Sequence, residues 1–92
     1  MEEARKQLAE MIYRVLSGDI SAAEAIRKYN ADLRVTDDAS IHQAAHALFH
    51  YRDDADIRQK DEKYAERQTA ALKKIADKLA DGSPLSHKEG YW

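Results

Sequence analysis

Residues 51–56 read YRDDAD, and on them turns whether residues 41–80 form one long helix or two. With about 100° of rotation per residue, Ile41, Ala44, Ala45, Leu48 and Ala55 fall on one side of a helix. Ile57, Tyr64, Gln68, Leu72, Ile75 and Leu79 fall about half a turn away. A straight helix carrying both stripes would need partners on two sides. A break at YRDDAD lets both stripes serve one core, and Asp53 or Asp54 is suited to cap the new helix. No glycine or proline enforces that break, so one kinked helix and a two-helix hairpin both satisfy the pattern.

Upstream, the same rhythm gives a first helix over Glu2–Ser17. Leu8, Met11, Ile12, Val15 and Leu16 recur at three- and four-residue spacing, and Gly18 follows as a stop. In ISAAE, Ser21 is placed to cap a second helix, with Glu24 as its return partner and Ile20 and Ala25 as a weak hydrophobic staple. Ile26 and Tyr29 should face inward, and Asn30 should end the helix. ADLRVTDDAS (31–40) lacks helical rhythm and reads as a loop that tucks Leu33 and Val35 onto the core. A third helix should start within Thr36, Asp37, Asp38 or Ser40, with SIHQ as a possible capping box. Beyond YRDDAD the last helix should run to about Asp81, where Gly82 and Pro84 end it. Between Ile57 and Leu72 it holds no large aliphatic residue, so it either projects into solvent or packs closely through alanine. Asp54–Arg58, Asp56–Lys60 and Lys73–Asp77 have the spacing of intrahelical ion pairs. The fold class is therefore all-α: two N-terminal helices packed on a helical hairpin or kinked long helix, one domain over residues 1–81 and a flexible tail over 82–92.

Composition excludes whole classes of chemistry. Fifteen basic against seventeen acidic residues, net −2, make a mixed surface rather than a nucleic-acid-binding polycation. Zero cysteine excludes disulfides, thiolate catalysis and cysteine-ligated zinc. The N-terminus is charged from its second residue, unlike a signal peptide or a membrane span, and a cytoplasmic protein is expected. The glycines are isolated at 18, 82 and 90, so no phosphate-cradling loop exists. The serines sit at caps and loops, the tyrosines suit helix packing, and no catalytic residue or cofactor is expected.

One pattern invites a functional reading. His42, His46 and His50 stand four residues apart on the third helix, with Phe49 at a neighbouring angle to His42 and His46. His42 and His50 lie about 12 Å apart along the axis, so one ion cannot take all three, though a neighbouring pair can share one. The zinc-peptidase arrangement has a glutamate after its first histidine, and here Gln43 and Ala47 stand there instead. A metal site would need carboxylates such as Glu10, Asp61 or Glu62 brought in from elsewhere. The simpler reading is the polar flank of an amphipathic helix; a partner surface built from His42, His46, Phe49 and His50 is the functional one. The expectation is a non-catalytic interaction or regulatory module that binds another protein or itself, with a metal-binding protein as the alternative. A thin aliphatic core favours a homodimer with the 54–81 helix in its interface.

Overall fold

After the start of the first helix, the helix boundaries are traceable to a side chain, a glycine or a turn. The computed structural model describes residues 2–83 and 85, in which the elements are α1 (Glu2–Leu16), α2 (Ala22–Asp32), α3 (Ala39–Asp53), α4 (Ala55–Lys60) and α5 (Glu62–Asp81). Gly18 ends α1 at φ 83°, with its N–H bonded to the Val15 carbonyl at 3.1 Å and the Asp19 N–H to Arg14 at 2.8 Å. That pair of bonds is a Schellman motif, and the left-handed backbone it requires suits glycine. Gly82 repeats it after α5 at φ 77°. Ser21 caps α2, its Oγ accepting the Glu24 N–H at 3.1 Å.

Asn30 does not stop α2, which continues to Asp32 and closes with the Leu33 and Arg34 N–H groups on the Tyr29 carbonyl. Leu33 is buried as expected, whereas Val35 is 88% exposed. A turn closed by the Thr36 N–H and the Leu33 carbonyl carries Val35 outward, so only one of the two apolar side chains reaches the core. Asp38 is the N-cap of α3, accepting the Ser40 N–H at 3.0 Å. Ser40 is therefore inside the helix rather than capping it. It is buried, and its Oγ accepts the N–H of Leu85, a half-buried residue packed on the core.

The chain does break at YRDDAD. Asp54 stands between α3 and α4, but its carboxylate makes no capping bond. It accepts instead from the Tyr64 hydroxyl at 2.5 Å and the Gln68 Nε2 at 3.1 Å. A second break, which periodicity does not reveal, follows at Asp61: its backbone is extended and its side chain caps α5 through the Tyr64 N–H at 3.0 Å. α4 is thus a six-residue link with no buried residue, and Ile57 within it is 47% exposed rather than part of the inner stripe.

The two stripes meet as the break permits. α1 lies along α5 and α2 along α3, with α3 also touching α5. One core joins Leu8 and Ile12 of α1, Ala25 and Ile26 of α2, Ile41 and Leu48 of α3, and Leu72, Ile75 and Leu79 of α5. All regular structure among the described residues is helical. Most of the expected tail, Ser86–Trp92 with Pro84, lies outside those residues.

Candidate functional site

α3 turns its alanine and leucine side inward, which leaves its histidines on the edge facing α2 and beyond it. The structure then separates the three. His42 is half-buried, with Nε2 2.6 Å from the Thr36 carbonyl oxygen and Nδ1 2.6 Å from the Tyr29 hydroxyl. A carbonyl only accepts, so Nε2 carries the hydrogen; in the neutral ring Nδ1 is then the acceptor of the Tyr29 O–H. Burial raises the pKa of that Tyr29 hydroxyl, which keeps it a donor, while Arg34 opposes the shift. His42 is thus a tie between α2, the following turn and α3, with both nitrogens engaged inside the protein.

His46 and His50 are exposed and sit side by side, ring centroids 5.0 Å apart. Phe49 meets the His46 ring edge-on at 6.1 Å and the Tyr29 ring at 6.2 Å. Arg52 holds its guanidinium 5.8 Å from the Phe49 centroid. The result is a continuous ridge of rings from buried Tyr29 through half-buried Phe49 to exposed His46 and His50. Ring pairs at such offsets are mutually attractive, and the inner rings hold the outer ones in place. Of the four residues that the sequence singles out, three form this ridge and His42 lies beneath its inner end. Tyr29, Thr36 and Arg52 complete the constellation, but only tertiary packing reveals the first two as partners of His42.

The metal alternative would have to rest on the His46–His50 pair. Among the described residues, no three histidine, aspartate or glutamate side chains come together in a way that could hold an ion. Glu10, Asp61 and Glu62 belong to α1, the α4–α5 break and α5, not to the ridge.

Two further polar clusters join elements. Arg5 reaches Asp38 through Nε at 2.6 Å and a terminal nitrogen at 3.2 Å, and its other terminal nitrogen donates to the Gly82 carbonyl at 2.9 Å. That pins the start of α1, the cap of α3 and the end of α5. The Arg5 guanidinium holds the Asp38 carboxyl below the ordinary carboxylate range, against the opposing effect of burial. At the other end of the molecule, fully buried Gln68 donates to Asp54 and accepts from Arg58 at 2.8 Å. Arg58 also donates to the Tyr51 carbonyl and lies 3.5 Å over the Tyr51 ring. Asp54 and Arg58 thus serve Gln68 and the chain reversal rather than each other. On the surface, the Lys73–Asp77 ion pair forms at 3.2 Å, and Tyr13 donates to the same Asp77.

A groove of about 490 Å³ runs between α1 and the end of α2, with Met11 and Leu33 at its base. Lys6, Glu10, Arg14, Lys28 and Asp32 along its walls mix both charges, so no single ligand charge is selected. No helix among the described residues is long and apolar enough to cross a membrane. No protein-family model, no curated protein and no solved structure matches this chain.

Proposed function

We propose that this chain is a small, non-catalytic interaction module that engages another protein through the α3 ridge, with His46, Phe49 and His50 as its contact residues. The ordered set of exposed and half-exposed rings carries this reading. Rings fixed by their neighbours lose little side-chain freedom on binding, and aromatic residues and arginine dominate the energetics of protein contacts. Arg52 beside Phe49 adds a cation at the rim. His42 has a structural part in this reading: by tying α2 to α3 it fixes the Tyr29 ring that supports Phe49.

Affinity capture from the native host, with cross-linking and quantitative mass spectrometry, tests the proposal. The double variant His46→Glu/His50→Glu should retain wild-type helicity and lose a protein that the wild-type chain enriches. Identical enrichment profiles for two folded chains would defeat the reading.

A further inference from the structure

The face of α5 that turns away from the core has a two-fold character. Between Tyr64 and Leu72 the helix buries only Gln68, while Glu62, Glu66, Thr69, Ala70 and Lys73 are exposed and Ala65 is half-buried. These six line a shallow trough of about 410 Å³. Their order is self-complementary about the midpoint between Arg67 and Gln68. An antiparallel copy centred there sets Glu62 opposite Lys73, Ala65 opposite Ala70 and Glu66 opposite Thr69, and the dyad repeats each pair. At the centre Glu66 meets Thr69, whose hydroxyl can donate to the carboxylate, small Ala65 and Ala70 flank that pair, and opposite charges meet at both ends. We propose that this face binds a second copy of the chain as an antiparallel α5–α5′ pair in that register.

The surrounding contacts are compatible with it. Lys73 is 65% exposed in its present ion pair with Asp77. Asp77 keeps the Tyr13 hydroxyl when Lys73 turns to the partner's Glu62. An exposed i,i+4 pair is weak, so little opposes the exchange. Lys63, Arg67 and Lys74 lie about 90° or more around the helix from the centre of this face. Arg67 is moreover directed over its own Tyr64 ring at 6.0 Å. The matched stretch spans about 16 Å of helix, which places the interface in the small class, below about 1,200 Å². The dimer is therefore concentration-dependent. The surface belongs to α5 and not to the α3 ridge, so its test is independent of the partner proposed above.

Sedimentation velocity from about 10 µM to about 1 mM should show the 10.5 kDa monomer giving way to a dimer. Glu62→Lys sets lysine against lysine at both ends and should weaken association about tenfold or more. The double variant Glu62→Lys/Lys73→Glu should restore it. Ala70→Glu, which keeps helix support from Lys74 four residues on, should also abolish the pair while leaving far-ultraviolet circular dichroism unchanged. A monomer at every concentration overturns the proposal. So does a dimer indifferent to both Ala70→Glu and the charge reversal, because another surface would then hold it.

Discussion

His42 and His46 are one helical turn apart, yet one has both nitrogens bonded to the protein's interior edge and the other stands at the surface. Their substitutions should differ accordingly. His42→Gln cannot place two polar atoms where the imidazole does, and loss of one or both bonds should cost about 1–2 kcal/mol. His46→Gln and His50→Gln should each stay within about 0.5 kcal/mol. Urea unfolding of the three variants checks the contrast; equal losses at all three positions would contradict it. Gln68 is the other decisive residue. Leucine preserves its bulk but removes both hydrogen bonds, so Gln68→Leu should destabilise by about 1–3 kcal/mol, with Asp54 left to the Tyr64 hydroxyl and Arg58 to the Tyr51 carbonyl. A loss near zero would mean that water replaces the amide and that the corner does not depend on it.

Among the elements, α1, α3 and α5 are joined at one end by Arg5, Asp38 and the Gly82 carbonyl. This gives stability a definite pH dependence. Arg5 holds the folded Asp38 pKa below its ordinary 3.8, so the folded state releases this proton more readily than the unfolded chain does. The stabilisation is complete above the unfolded value and fades as pH falls below it, through the folded one. Asp38→Asn should therefore cost about 1.5–3 kcal/mol near pH ~6 and progressively less toward pH ~2. Denaturant midpoints of both chains across that range measure the convergence; a constant gap would show that the carboxylate's charge is not the source.

On the scale of the molecule, cohesion is uneven. α1 and the second half of α5 share the core, whereas α4 buries nothing and the first half of α5 contributes Gln68 alone. Segments with few buried apolar contacts open at low free energy. Hydrogen exchange should therefore be faster for amides of residues 55–66 than for those of 8–15 and 72–79. Uniform protection at concentrations where the chain is monomeric would refute this. Protection of 62–73 that rises with protein concentration would match the α5 pairing.

The all-α class, the Gly18 and Gly82 stops, the Ser21 cap and the inner stripe of α5 were legible from residue spacing, because each depends on neighbours within about one or two helical turns. The change of stripe at YRDDAD was legible for the same reason, as a mismatch in rotation. Its resolution was not. The break is arranged around Asp54, Tyr64 and Gln68, which meet only after the chain has reversed. Nor could spacing show that Asp61 would make a second break, that Val35 would turn outward while Leu33 turned in, or that His42 would part from His46 and His50. A periodic pattern shows which side of a helix a residue occupies. What stands opposite that side, and whether a polar group there finds a bond, is decided when the helices pack.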